Sequence, residues 1–152
     1  MILKLKDGNV LIELFDEIAP NHVERFKMLA KEKKYDGVVF HRVIDGFMAQ
    51  TGDPRGDGTG GSGQNIPAEF NSLPHIRGTV SMARAQDPDS ADSQFFICFK
   101  ESSFLDGQYT AWGQVIEGME FVDKIKRGEG SNGIVDDPDK IISMRLAKDV
   151  KQ

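Results

Sequence analysis

The sequence has one cysteine, three histidines and no long hydrophobic run. The single thiol of Cys98 excludes an internal disulfide, and the wide separation of His22, His41 and His75 excludes the usual zinc-binding spacings. No apolar stretch reaches the roughly 18 residues that span a bilayer, so no membrane association is expected. Acidic residues outnumber basic ones by 24 to 19, and the net charge of −5 argues against nucleic-acid binding, which requires clustered Lys and Arg.

The chain also opens without a charged-then-apolar leader, because Met1-Ile2-Leu3-Lys4 turns polar at once. The cytoplasm is therefore the expected location, and an exported form whose leader has been removed is the alternative that the sequence leaves open. Since 39% of the 152 residues are hydrophobic and 28% are charged, residues 1–152 are expected to form a single soluble domain. The pattern shows no exposed apolar stripe, which predicts a monomer.

Hydrophobic periodicity predicts mostly short β-strands. Leu3 and Leu5, then Val10 and Ile12, alternate with polar residues on either side of an Asp7-Gly8-Asn9 turn, which is typical of a β-hairpin. Further strands are predicted over residues 38–44, 47–51, 79–84, 94–99, 110–116 and 141–146.

Two helices are predicted, one near each end of the chain. The first begins at Pro20, whose missing N–H is tolerated in a first turn, and ends at Asp36-Gly37; the second covers residues 119–126. The last strand is expected to place Ile142, Met144 and Leu146 on one face. Together these elements predict a mainly β fold, either a barrel or a sandwich, and periodicity leaves closure of the sheet open.

Three apparent motifs are weak. Gly58–Gly63 matches the dinucleotide pattern G-x-G-x-x-G, but no amphipathic helix follows it. Asp87–Asp92 begins like a calcium loop without its glycine or distal glutamate. A Ser/His/Asp hydrolase has no nucleophile elbow to support it and stays open as an alternative.

The segment Phe40–Gln50 offers the strongest chemical signal. In a strand, Arg42 and His41 point to opposite faces, so an Arg42 that faces a cleft leaves His41 as a buried histidine with its hydrogen bonds satisfied. One guanidinium, one amide and apolar neighbours suit a small apolar ligand held by a few oriented donors. An ordinary core with one surface arginine would fit the same residues.

Four blocks of the sequence resemble the signature of the cyclophilins, in the family's order: Phe40–Gln50, Gly78–Ala83, Ser93–Ile97 and Phe104–Gly107. The resemblance runs from the first hairpin to the final strand, and Met82-Ala83-Arg84 is similar to compact bacterial members. It implies a closed eight-stranded antiparallel β-barrel capped by two α-helices, with the active groove on the outer face.

The resemblance also implies an activity, peptidyl-prolyl cis–trans isomerisation, and a set of site residues. Arg42 would be the catalytic arginine, Gln50 would orient the substrate carbonyl, and Phe47 would belong to the catalytic set. The implied substrate-binding residues are Met48, Ala83, Arg84, Gln94, Phe96, Phe104, Leu105 and Tyr109. No cofactor and no metal are implied, and the expected partners are proline-containing peptides and unfolded or flexible protein segments.

Three positions depart from the family pattern. Phe104 stands where many members have tryptophan, which weakens the expected binding of cyclosporin because Phe lacks the indole N–H donor. Tyr109 occupies the usual place of a pocket histidine, and Arg84 replaces a common asparagine. Two alternatives from other classes remain: a proline-binding module without turnover, and a structural barrel that holds partners through other surfaces.

Overall fold

The computed structural model describes residues 1–149 and is dominated by eight short β-strands. The strands are β1 (Ile2–Leu5), β2 (Gly8–Leu14), β3 (Arg42–Ile44), β4 (Met48–Thr51), β5 (Thr79–Met82), β6 (Phe95–Cys98), β7 (Ala111–Glu117) and β8 (Ser143–Arg145). The helices are α1 (Pro20–Lys31) and α2 (Met119–Val122), with single 3-10 turns at Ser103–Leu105 and Ala147–Asp149.

The strands form one curled antiparallel sheet in the order β3-β4-β6-β5-β7-β2-β1-β8. This confirms the mainly β fold, although full closure is slightly overstated, because the edge strands β3 and β8 do not pair with each other. Separate backbone contacts partly span that gap: a bridge joins Val39 to Lys140, and the Phe40 N–H donates to the Asp139 carbonyl at 2.8 Å.

The concave side of the sheet holds the main hydrophobic core. Period-two alternation in the first hairpin buries Leu3, Leu5, Val10 and Ile12, as the sequence predicts. Helix α1 contributes its apolar stripe to the same core, and Phe26 stacks on the buried Trp112 with ring centroids 3.9 Å apart.

Several predicted boundaries differ from the observed ones. Helix α1 ends at Lys31 and is followed by turns up to Gly37. Helix α2 is a single turn that ends at Val122, although the Ile125 side chain is buried as a longer helix would require. Strand β3 starts only at Arg42, because the segment before it pairs through isolated bridges.

The prediction for the face of β8 was wrong at one residue. Met144 and Leu146 are buried, but Ile142 is 49% exposed and its neighbour Ile141 is fully buried. Strand β8 begins at Ser143, so residues 141 and 142 lie outside the regular strand and do not follow its alternation. Within residues 1–149, no helix is long and apolar enough to cross a membrane.

Candidate active site

Strand pairing places the candidate residues in a row across the outer face of the sheet. Arg42 on β3 lies opposite Gln50 on β4, and Gln50 lies opposite Phe96 on β6. Phe96 in turn pairs with Ser81 on β5. Because directly opposed residues of an antiparallel sheet share one face, residues far apart in the sequence become neighbours.

A small apolar cluster lies beside this row and is separate from the main core. It consists of Met48, Phe96, Cys98 and Leu105, each no more than 7% exposed. Met48 and Gln50 alternate along β4 on the same face, and Leu105 comes from the 3-10 turn that begins at Ser103. The outer face of the sheet therefore carries its own apolar floor. Three of its four members, Met48, Phe96 and Leu105, line a cavity that a ligand could enter.

The Arg42 guanidinium is held at the edge of this floor by two contacts. Its Nε donates to the backbone carbonyl of Asn132 at 2.8 Å, and Nη1 donates to Gln50 Oε1 at 3.3 Å. Neither partner is charged, and no carboxylate within residues 1–149 forms an ion pair with Arg42. The positive charge and the remaining N–H donors are free to act on a bound molecule.

A chain of amide hydrogen bonds links Gln50 to the Gly-rich loop, residues 52–63. Gln50 Nε2 donates to Gln94 Oε1 at 3.0 Å, and Gln94 Nε2 donates to the carbonyls of Gly58 and Gly60 at 3.1 and 3.0 Å. Gln94 is thereby both an acceptor for Gln50 and an anchor for the loop. This double role fixes which end of the Gln50 amide faces Arg42.

Aromatic side chains form the rim. Phe104 is 66% exposed and lies 5.5 Å from Phe47, centroid to centroid. On the other side, Tyr109 meets Phe96 edge to face at 6.0 Å, and Arg84 Cζ lies 4.6 Å above the Tyr109 ring. Such aromatic walls enclose an apolar ring well while leaving a polar edge in water.

Together these groups enclose a cavity of about 300 Å³, which we call the apolar pocket. Its lining residues are Arg42, Phe47, Met48, Gln50, Ala83, Arg84, Phe96, Phe104, Leu105 and Tyr109. All but one of the residues that the resemblance implied are therefore brought to one place. The exception is Gln94, which lines an adjoining cavity of about 500 Å³, the second cavity, together with Gly58–Gly61 of the Gly-rich loop.

The structure contains a Ser/His/Asp constellation beneath the pocket. His75 Nδ1 lies 2.9 Å from Asp106 Oδ1, and His75 Nε2 lies 2.8 Å from Ser81 Oγ. Burial lowers the pKa of His75, although Asp106 opposes that shift. Because Ser81 is fully buried, its hydroxyl cannot reach a substrate. The side chains of Ser81, His75 and Asp106 instead satisfy one another's hydrogen bonds beneath Phe96.

Two other buried groups bear on the sequence predictions. His41 is 6% exposed, as expected, but no protein group among residues 1–149 hydrogen-bonds to its Nδ1, so the expectation of a satisfied histidine stays a prediction. Burial lowers the pKa of His41. Cys98 is completely buried, which raises the pKa of its thiol to about 12, so this thiol is expected to be unreactive.

The Gly-rich loop contains no helix, and its polar groups form hydrogen bonds within the loop. Asp53 accepts the backbone N–H groups of Arg55, Asp57 and Gly58, so these amides are not available to a phosphate. Among residues 1–149, no group of three or more His, Cys, Asp or Glu side chains is close enough to hold a metal ion.

Sequence reasoning missed two contributors to the site. Asn132 acts on Arg42 through its backbone carbonyl, 90 residues away in the chain, and the side-chain type at such a position gives no signal. Arg55, which lines the second cavity, lies in a loop whose path the sequence pattern does not fix. Both residues reach the site only because the fold brings segments that are distant in the sequence close together.

Comparison with known proteins identifies the family. The family model described as "Cyclophilin type peptidyl-prolyl cis-trans isomerase/CLD" matches residues 1–146. The chain belongs to the cyclophilin-type peptidyl-prolyl cis-trans isomerases. A probable peptidyl-prolyl cis-trans isomerase of Brucella suis is 54% identical over 164 aligned positions, which cover 99% of this cyclophilin and 84% of that protein. A peptidyl-prolyl cis-trans isomerase of Synechococcus elongatus is 41% identical over 150 aligned positions, which cover 97% of this cyclophilin and 96% of that protein.

Solved structures agree with this assignment. A cyclophilin from Hirschia baltica has a TM-score of 0.88 at 30% identity, and the match covers 99% of this cyclophilin and 74% of that chain. A Cryptosporidium parvum cyclophilin, solved in the presence of the dipeptide Ala-Pro, has a TM-score of 0.85 at 30% identity, with 93% and 94% covered. The family resemblance, the fold and the class of enzyme are thus confirmed.

Proposed function

We propose that this cyclophilin isomerises Xaa-Pro bonds in polypeptides by means of Arg42, and thereby assists protein folding. The observation that carries the proposal is the position of the Arg42 guanidinium, without a carboxylate partner among residues 1–149, at the edge of an apolar pocket of about 300 Å³. That volume and lining suit a proline ring. The Ala-Pro dipeptide present with the Cryptosporidium parvum relative is of the same chemical class.

The reaction rotates one bond and makes or breaks none. Its barrier of about 18–20 kcal/mol is the amide resonance lost when the C–N bond twists. Uncatalysed exchange takes roughly tens to hundreds of seconds, so a turnover of roughly hundreds per second requires a barrier lower by about 5–6 kcal/mol.

Arg42 is proposed to donate a hydrogen bond to the proline nitrogen. That nitrogen is a good acceptor only when the amide is twisted, because its lone pair is otherwise delocalised into the carbonyl. The contact therefore favours the transition state over both ground states, as catalysis requires. A charged hydrogen bond contributes roughly 1.5–3 kcal/mol, so other groups must supply the rest.

The apolar walls and Gln50 are proposed to supply that remainder. Met48, Phe96 and Leu105 would hold the ring and exclude water while the preceding residue rotates. The Gln50 amide, fixed by Arg42 and Gln94, would hold the carbonyl that precedes the proline. No step requires a proton transfer, a metal or a cofactor.

The direct test is the cis-to-trans rate of a short Ala-Pro peptide with wild type, Arg42→Ala and Arg77→Ala. Arg77 pairs with Asp123 and does not line the pocket, so its variant is the matched control. We expect strong acceleration by wild type and by the control, and a loss of at least about 100-fold in Arg42→Ala. Binding of proline peptides without acceleration would favour the proline-binding module instead.

Other expectations from the sequence stay predictions. They are one domain over residues 1–152, a monomer, a cytoplasmic location and weakened cyclosporin binding. The part of the single-domain prediction that concerns residues 150–152 lies outside the described residues.

A further inference from the structure

The second cavity lies directly against the apolar pocket. Gln50, Ala83 and Arg84 line both cavities, so they form a shared wall. At about 500 Å³, the second cavity is the larger of the two. If a peptide places its proline in the pocket, a side chain near that proline would have room to enter the second cavity.

Two guanidinium groups line the second cavity without an ion-pair partner in the described part of the chain. These are Arg55 from the Gly-rich loop and Arg84 after β5. A guanidinium keeps its positive charge at all physiological pH values. Any ligand group in this cavity thus meets two uncompensated positive charges.

Arg84 is held in place by backbone carbonyls, which fix the group without cancelling its charge. Its Nε and Nη2 donate to the Gln108 carbonyl at 3.2 and 2.8 Å, and Nη1 donates to the carbonyls of Ala85 and Gln86 at 2.8 and 3.1 Å. The stack on Tyr109 adds a further restraint. Four of its five N–H groups are used, which leaves one donor in a fixed position.

The acidic residues nearby do not offset these charges inside the cavity. Asp92 is the acidic side chain in its lining, and Arg25 neutralises it at 2.9 Å. Asp53 is 1% exposed under the loop and does not line the cavity. Asp57, Asp87 and Asp89 accept hydrogen bonds from the backbone N–H groups of Thr59, Asp89 and Ala68, and none of these three carboxylates lines the cavity. The cavity is locally positive in a chain whose net charge is −5.

We infer that the second cavity binds an acidic side chain of the substrate, a Glu or Asp two residues before the proline. The inference rests on the proposed function, because Gln50, which would hold the carbonyl before the proline, stands on the shared wall. Residues that precede the proline then extend toward the second cavity. Two peptide units span about 7 Å, so that side chain reaches a neighbouring cavity while the proline stays in the pocket.

The test compares peptides that differ only at this position: Glu-Ala-Pro, Gln-Ala-Pro and Lys-Ala-Pro in an otherwise identical sequence. For wild type at low ionic strength, we expect kcat/KM to fall in that order, with the Glu peptide about fivefold to tenfold above the Lys peptide. At 0.5 M salt the ratio should shrink to about twofold. The same order is expected for affinities measured by NMR titration.

Variants assign the effect to the two arginines. Arg84→Gln and Arg55→Gln should each lower the Glu-to-Lys ratio, and the double variant should bring it to about one. Lys148→Gln removes the same charge from an exposed residue that lines neither cavity, and it should leave the ratio unchanged. Because each ratio is taken within one variant, a general loss of activity cancels.

The outcomes separate this inference from the proposed function. If all three peptides are accelerated equally and bind equally, the inference is overturned while isomerase activity stands. If none is accelerated, the proposed function fails, and the NMR affinities alone decide the inference. A Glu preference that survives in the double variant would also overturn it, because the selectivity would then come from elsewhere.

Discussion

At the scale of single residues, the site depends on side chains whose partners are backbone groups. Arg42 is held by the Asn132 carbonyl, and Arg84 by the carbonyls of Ala85, Gln86 and Gln108. A backbone carbonyl positions a guanidinium and leaves its charge intact. A carboxylate would position the guanidinium and also neutralise its charge. The groove therefore keeps its positive charge while its arginines stay ordered.

Substitution of Phe104 tests how strongly the rim of the pocket affects the binding of cyclosporin. Its ring is 66% exposed next to Phe47 and offers no hydrogen-bond donor. Phe104→Trp adds the indole N–H, and we expect cyclosporin to bind about fivefold to tenfold more tightly. Inhibition of peptide isomerisation gives the affinity, and Phe104→Tyr, which adds an O–H donor at another position, shows whether the position of the donor matters. Equal affinities of wild type and Phe104→Trp would contradict this prediction.

At the scale of elements, the sequence predicted what depends on local periodicity. The alternation of Leu3, Leu5, Val10 and Ile12 was enough to predict the first hairpin and its buried face. The predicted alternation was wrong at Ile142. This residue lies outside the three-residue strand β8, where the backbone does not have to alternate, and its side chain is exposed. The partial bridging of the gap between β3 and β8 depends on contacts such as Val39 with Lys140. These residues are about a hundred positions apart, so no local sequence pattern predicts the contact.

The same limit applies to the candidate site. Its members could be predicted from the family resemblance, but their pairing could not be predicted from spacing. Gln94 shows this best: it was expected to line the groove, whereas the structure also places it between Gln50 and the Gly-rich loop. Contacts of this kind follow from the strand order, in which β4 pairs with β6.

The amide chain through Gln94 makes the Gly-rich loop part of the site. Gln94→Leu keeps the approximate side-chain volume but removes the acceptor for Gln50 and the donors to Gly58 and Gly60. We expect kcat/KM to fall about threefold to tenfold, with faster amide hydrogen exchange in Gly58–Gly60. Peptide kinetics and hydrogen exchange on the same sample check both effects.

Gln114→Leu is the matched control for that variant. Gln114 is also partly buried, but its amide hydrogen-bonds to Thr79 and to the Arg77 carbonyl. The control should leave the exchange of the loop amides unchanged. A Gln94→Leu enzyme with wild-type kinetics and wild-type loop exchange would show that the amide chain has no role in positioning Gln50.

At the scale of the whole molecule, pH should act on stability and on activity in different ways. Burial lowers the pKa values of His22, His41 and His75 below their usual value near 6.5. The unfolded chain therefore binds more protons than the native one just below pH 6.5, and stability falls as the pH drops through that range. Paired carboxylates such as Asp36 and Asp123, whose pKa values are lowered by arginines, lose their contribution only in stronger acid.

Activity should not follow this loss while the protein remains folded. The proposed mechanism uses no titrating group, so kcat/KM is expected to be nearly flat between about pH 6 and pH 8.5. Thermal unfolding should shift to lower temperature as pH decreases from about 7 to 5. A sigmoidal loss of kcat/KM near the pKa of histidine, with the protein still folded, would contradict the mechanism.

The central claim is that Arg42 acts on the twisted amide and not on the bound ground states. NMR line-shape analysis of one Ala-Pro peptide titrated into wild type and Arg42→Ala gives the affinity and the on-enzyme exchange rate together. In Arg42→Ala we expect the on-enzyme exchange rate to fall at least about 100-fold, while the Kd for the peptide changes by no more than about threefold. A loss of affinity that accounts for the whole loss of rate would contradict it, because Arg42 would then be a substrate-binding residue only.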